Sequence, residues 1–365
     1  MSTESLFTPF KIGKHELEHR VVLAPLTRLR ADLDATPNDL LLEYYQQRAS
    51  KGGLLITEAT FIDRLAGAYR RAPGIYTKEH IESWKKITEA VHQKGGIIFL
   101  QLWHIGRAGS SIFNPNGELT VSSSDIPITG KNALAGGIDF EKPRPLTVLE
   151  IKEWVQTYKQ AALNAIEAGF DGVEIHSANG YLLDQFINTR SNKRVDEYGG
   201  SIENRTRFPL EVVDAVVGAV GADRTAIRFS PGGAFQDMGD DSVIDTWGYL
   251  TSQLQQNHPD LAYVHFIETS SNILIGKSAD KDTLAPFREI WKGPFIASNG
   301  YSNAIEDAAA YAKKNNTAIA FGRSFIANPD LPERIRNNWP LNPYDRPTFY
   351  TNEPKGYTDY PFYKN

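Results

Sequence analysis

Not one cysteine occurs in the 365 residues of this chain. That absence removes disulfides, thiolate metal sites, iron–sulfur clusters and a Cys nucleophile together. A basic excess is also missing. Lys and Arg number 39 against 44 Asp and Glu, giving a formal net charge of -5. Such a balance recruits neither nucleic acid nor an anionic membrane. No apolar run is long enough to span a bilayer, and Met1–Phe7 has no positive region leading into an apolar core. The dinucleotide-binding turn G-x-G-x-x-G is absent throughout, which weighs against a doubly wound sheet. The expectation is a soluble cytoplasmic enzyme with a small-molecule substrate and no metal, monomeric or dimeric.

What is present is an alternation of short β-branched runs with helical stretches. The predicted strands are Arg20–Leu26, Leu54–Ala59, Ile97–Trp103, Gly172–His176, Thr225–Ser230, Tyr263–Glu268, Pro294–Ser298 and Ala318–Phe321. Most are continuously apolar, as parallel strands buried on both faces must be. Helical patterns separate them. One runs from Lys78 to Lys94. Another runs from Thr147 to Ala168, where Thr147 and Glu150 have capping-box spacing and Gly169 follows as a stop. Eight strands, each followed by a helix, predict an α/β fold: a (β/α)8 TIM barrel in one domain over 1–365. Phe7–Gly13 and His15–Val21 read as an N-terminal hairpin plug. The connection from Ile105 to Leu146, about forty residues long, is expected to form a lid after the third strand.

Barrel chemistry gathers where strands end at the C-terminal face. The last two strands finish in Ser298-Asn299-Gly300 and Gly322-Arg323. Loops there often bind phosphate: glycine lets the backbone approach an anion and arginine offers a two-pronged donor. Two tight turns and a surface arginine are the alternative. His176 and Asn179 follow another strand and could jointly hold an oxygen that gains negative charge, with Tyr181 placed to supply a proton. The same residues could be a satisfied polar strand end. Arg228 ends a fifth strand and faces either a ligand or a buried partner, Glu174 or Glu268.

Two motifs mislead. His15-Glu16-Leu17-Glu18-His19 spells H-E-x-x-H, but that zinc motif needs a helix, and here a surface turn is expected. Gly276-Lys277-Ser278 copies the end of a P-loop, yet Ser271 stands where its first glycine belongs.

In order and spacing, the chain resembles the Old Yellow Enzyme family of FMN-dependent ene-reductases over almost its whole length. The likeness rests on Arg20-Val-Val-Leu-Ala-Pro-Leu-Thr-Arg28, Thr57-Glu-Ala59, Gln101-Leu-Trp103, His176-Ser-Ala-Asn-Gly-Tyr181, Asp196-Glu-Tyr-Gly-Gly-Ser-Ile-Glu-Asn-Arg205, and Phe321-Gly-Arg323 with Asn328-Pro-Asp-Leu331. Thr27, where one branch carries Cys, resembles the classical branch. Asn179 stands where many relatives have a second His. Dienoyl-CoA reductases share the barrel but require a Cys-ligated cluster, which this chain cannot build.

The resemblance implies roles. Pro25, Leu26, Thr27 and Ala59 would line the flavin ring, Gln101 would bind its pyrimidine edge and Arg228 would stand near N1. Asn299, Gly300, Gly322 and Arg323 would hold the FMN phosphate. His176 and Asn179 would bind the substrate oxygen, and Tyr181 would protonate the α-carbon. Tyr69, Trp103, Phe235 and Tyr357 would shape the pocket. NADPH would reduce the flavin, which would then reduce an enone, enal or nitroalkene. Two other readings stay open: a colourless phosphate-binding barrel isomerase or aldolase, and a flavin-binding module without turnover. No proposed strand contains the lysine a Schiff-base aldolase needs.

Overall fold

The computed structural model describes residues 3–67, 69–269, 282–301 and 304–364. The P-loop-like Gly276-Lys277-Ser278 lies outside the described residues.

The chain opens with an antiparallel hairpin, β1 (Phe10–Ile12) and β2 (His15–Leu17). Its Phe10, Ile12 and Leu17 share one buried cluster with Val22, Ile56, Phe99 and Ile296 of the strands that follow. The H-E-x-x-H stretch is therefore not a surface turn, because His15–Leu17 form a paired strand. His19 bonds instead to Ser50 Oγ at 3.0 Å.

Next come β3 (Val21–Leu23), helix α1 (Asp39–Arg48), β4 (Leu54–Ile56), the short β5 (Thr60–Phe61), α2 (Lys78–Gln93) and β6 (Ile97–Trp103). The segment between β6 and α3 (Val148–Glu167) holds four two-residue strands. β7 (Val121–Ser122) pairs with β10 (Arg144–Pro145), and β8 (Lys131–Asn132) pairs with β9 (Ile138–Asp139). Then follow β11 (Gly172–Ser177), α4 (Leu182–Ile187), α5 (Ile202–Val220), β12 (Thr225–Phe229), α6 (Val243–Asn257) and β13 (Tyr263–Ile267). The last are α7 (Ala285–Ile290), β14 (Phe295–Ser298), α8 (Ile305–Asn315), β15 (Ala318–Phe321), α9 (Arg323–Ala327) and α10 (Leu331–Arg336).

The strands β3-β4-β6-β11-β12-β13-β14-β15 pair in parallel, and β15 returns to β3, closing an eight-stranded barrel. This is the expected (β/α)8 architecture. Every residue of β6, β11 and β12 is buried, which accounts for the apolar majority of their sequences and leaves Gln101, Glu174, His176 and Arg228 as buried polar exceptions. The Thr147–Glu150 capping box forms as the spacing predicts.

Two strands, β3 and β4, stop well short of the ends that their sequences suggest, and both stops make room for chemistry. β3 ends before Pro25, which has no N–H to give a ladder. β4 breaks off at Thr57-Glu58-Ala59, where side chains replace ladder bonds. Thr57 Oγ1 accepts the Gln101 N–H at 3.0 Å, and the Tyr45 hydroxyl accepts the Glu58 N–H at 2.8 Å. Pairing resumes at β5.

The C-terminal segment is tied across the barrel mouth by arginines. Arg28 donates to the carbonyls of Phe349 (3.1 Å) and Gly356 (2.8 Å). Arg30 donates to those of Thr348 (2.8 Å), Phe349 (2.9 Å) and Glu353 (3.1 Å). Behind them Tyr357 stacks on Tyr44 with ring centres 4.2 Å apart. Gly356 has φ +68, and a Cβ there would sit 1.8 Å from Thr348 Oγ1, so only glycine fits.

Candidate active site

The shortened strand ends open a cavity of about 750 Å3 at the barrel mouth. After β3 come Pro25, Leu26 and Thr27, from the break after β4 comes Ala59, and from β6 comes Gln101. From β11 comes His176, beyond it stand Asn179 and Tyr181, from β12 comes Arg228, and after β15 comes Arg323. These residues are distant in sequence, and the closed sheet brings them to one rim. Tyr69 and Phe235 also line the cavity, the latter 64% exposed.

Arg228 is buried, yet its Nε has no partner and Nη2 has only a 3.5 Å contact with Ser298 Oγ. The ion pair with Glu174 or Glu268 does not form. The carboxylate of Glu174 is occupied instead, accepting from Gln101 Nε2 at 2.7 Å and bonding His265 Nδ1 at 2.9 Å. Burial resists charge on Glu174, but His265, Arg228 and Gln101 outweigh it and hold this carboxyl below its ordinary range. Burial holds His265 down, so the site keeps one carboxylate and one guanidinium with a neutral imidazole between strands. A buried cation with unused donors, facing a cavity, suits an anionic ligand.

Burial, helped by the Arg228 charge, pushes the His176 imidazole well below its usual value, so it is neutral near pH 7. It offers hydrogen bonds without a competing formal charge. The Tyr181 ring meets His176 edge-on at 5.0 Å and Trp103 edge-on at 4.9 Å. Burial raises the Tyr181 phenol above its ordinary value, so it keeps its proton.

Helix α4 holds the turn bearing Asn179 and Tyr181. Asn179 adopts φ +58, with its N–H donated to Ser230 Oγ at 2.7 Å. Gly180 has φ +75, and a Cβ would meet Gln236, Met238 and Phe235 at 3.0 Å. Asp184 Oδ2 accepts the Gly180 N–H at 2.8 Å, and Gln185 Nε2 donates to the Gly180 carbonyl at 2.7 Å. Gln185 Oε1 also accepts from Arg107 N–H (3.2 Å) and Ser122 Oγ (2.9 Å), tying the turn to the segment after β6. Burial pushes the Asp184 carboxyl up to about 7.

Some expected residues lie elsewhere. Tyr357 does not shape the pocket: its ring is fully buried against Tyr44, under Arg28 and Arg30. Tyr350, 57% exposed, lines the cavity in its place, with Phe349 and Arg346. Trp103 is fully buried, stacked on Phe61 at 4.5 Å, and backs Tyr181 from behind. Asn299 and Gly300 follow β14 and Gly322 follows β15. The two strands are paired, Ser298 with Ala320, so these residues share one edge of the mouth, although of this group only Arg323 lines the cavity. Asn299 and Gly300 have φ +79 and +87. Arg28 also lines the cavity, and Ala133, Leu134, Gln236 and Ile326 complete the lining without having been singled out in the sequence.

The profile of the NADH:flavin oxidoreductase / NADH oxidase family matches residues 5–342. The chain belongs to this family, that of Old Yellow Enzyme. It is 49% identical over 358 residues to 12-oxophytodienoate reductase 1 of Oryza sativa subsp. japonica, covering 98% of this chain and 93% of that one. It is 48% identical over 390 residues to the flavin oxidoreductase hxnT of Emericella nidulans, covering 98% of each. Morphinone reductase superimposes with TM-score 0.91 at 43% identity, covering 99% of this chain and 96% of that one. The Old Yellow Enzyme homologue from Zymomonas mobilis gives TM-score 0.91 at 40% identity, covering 98% and 99%. This Old Yellow Enzyme is thus a flavin-dependent oxidoreductase of the ene-reductase kind, and the isomerase or aldolase reading falls away. Among the described residues, no helix is long and apolar enough to cross a membrane.

Proposed function

We propose that this Old Yellow Enzyme reduces activated alkenes (enones, enals and nitroalkenes) with NADPH as hydride donor, and that the cavity rim carries out the binding and proton transfer. The observation that carries this reading is the buried Arg228 with unsatisfied donors, set beside a neutral His176 and a protonated Tyr181 on one cavity.

The residues fit FMN. Pro25, Leu26 and Ala59 offer an apolar floor, Thr27 and Gln101 offer hydrogen bonds, and Arg228 offers charge to a ring that gains electrons. Asn299, Gly300, Gly322 and Arg323 would take the phosphate, since left-handed backbone and a guanidinium at one edge suit an anion. When bound, FMN supplies hydride transfer between the nicotinamide and the alkene.

The chain's own groups prepare the alkene. His176 and the Asn179 amide donate to the carbonyl or nitro oxygen, drawing electron density away from the β-carbon. The α4 clamp on Gly180 keeps the Asn179 donor in place without reorganisation. Tyr181, held by Trp103 and His176, gives its proton to the α-carbon. Tyr69, Phe235 and Tyr350 narrow the entrance and exclude water.

The test is a visible spectrum of the purified protein, followed by anaerobic NADPH and then cyclohexenone. Flavin bands that bleach with NADPH and return with enone are expected. A protein that stays colourless after FMN is added would overturn the reading.

A further inference from the structure

Beside the cavity runs a groove of about 580 Å3, lined by Arg64, Arg70 and Arg71 with Leu33, Ile112 and Phe113. Tyr69 lines both hollows, so they share a wall. Arg64 and Arg70 are exposed. Arg71 donates to the Ala31 carbonyl at 3.3 Å, and Arg70 lies over Phe113 at 5.6 Å. Among the described residues, none of the three has a carboxylate within ion-pair distance. The acid in the groove, Asp34, is turned to its own backbone, accepting the Thr36 N–H at 3.1 Å. Leu33 and Ile112 are 69% and 59% exposed. Three unpaired guanidiniums flanked by bare apolar side chains match a ligand that joins phosphates to a flat, weakly polar ring.

We propose that this groove seats the adenosine–phosphate end of the nicotinamide dinucleotide while its nicotinamide reaches past Tyr69 into the cavity. The arginines meet the adenosine-side phosphates, and Leu33, Ile112 and Phe113 flank the adenosine. The inference rests on the preceding reading that a reduced nicotinamide dinucleotide is the donor. It adds that the extra phosphate of NADPH, which brings further negative charge, makes NADPH the preferred form.

The test is stopped-flow flavin reduction by NADPH, NADH and reduced nicotinamide mononucleotide, which lacks the adenosine phosphate. The proteins are wild type and Arg64→Ala/Arg70→Ala, both changes being at exposed positions. Exposed charge contacts are individually weak, so the half-saturating NADPH concentration should rise about fivefold to tenfold. NADH should shift less and the mononucleotide not at all, while reoxidation by cyclohexenone stays unchanged. Added salt should weaken NADPH binding in wild type more than in the variant. An equal shift for all three donors, or none, would overturn the proposal. A shift confined to carboxylate-bearing enones would overturn it too, assigning the groove to the acceptor. Failure of every nicotinamide donor to bleach a flavin-loaded wild type would instead remove the donor reading itself.

Discussion

The carboxyl group of Asp184 accepts the backbone N–H of Gly180 at 2.8 Å, and through that bond α4 fixes the turn on which Asn179 and Tyr181 stand. Burial lifts this carboxyl from 3.8 to about 7, so the folded protein keeps a proton that the unfolded chain has lost. The group's contribution to stability is therefore full below the unfolded value and disappears as pH rises towards 7. Urea unfolding of wild type and Asp184→Asn between pH 4 and 8 checks this. The wild-type advantage should shrink with rising pH by up to about 4 kcal/mol. A difference independent of pH would mean that Asp184 is ionised throughout.

Tyr181→Phe should leave flavin reduction by NADPH intact and slow enone turnover by about 100-fold or more, since only the second half-reaction needs the α-carbon proton. Unchanged enone turnover would take Tyr181 out of the donor role.

His176→Ala should weaken phenol binding to the oxidised protein, seen as a fainter long-wavelength charge-transfer band and a higher Kd. Because burial and Arg228 hold the wild-type imidazole neutral, its protonation should add no step to the phenol titration near the ordinary histidine value of 6.5. A histidine transition there would mean that the ring is solvated and charged.

Two tyrosines near the C-terminus should separate cleanly. Tyr350→Ala should raise KM for enones severalfold, because about 1 kcal/mol of apolar contact is lost at a half-open wall. Tyr357→Ala should cost about 3–5 kcal/mol of stability, as large-to-small changes in a packed core do, with little effect on KM. Thermal melts and steady-state kinetics on both variants decide the matter.

That pair also marks where the sequence was legible. Buried parallel strands print as largely apolar runs, so Ile97–Trp103, despite Gln101, and Ala318–Phe321 were bounded to the residue. β3 came out too long because apolar character continues past Pro25, and β4 because nothing in Thr57-Glu58-Ala59 shows that side chains take over from the ladder there. Strand-end polarity located the cavity residues from Thr27 to Arg228. The stretch after α10 has no periodicity, so nothing local distinguishes a tyrosine that faces a cavity from one stacked beneath it. The α4 clamp was equally hidden, because it depends on side chains meeting a backbone turn.

The arginine latch over the barrel mouth has a further consequence. Arg28 and Arg30 grip Thr348, Phe349, Glu353 and Gly356 by their carbonyls. Apart from the glycine demanded at 356, the Thr351 hydroxyl that Arg30 also reaches and the Phe349 and Tyr357 rings beneath the guanidiniums, such a grip is indifferent to which side chains the strap carries. Residue 350 can therefore be exchanged without loosening the strap that presents it. The molecule holds one wall of its pocket as a replaceable panel on a fixed frame, open to retailoring for new alkenes by single substitutions.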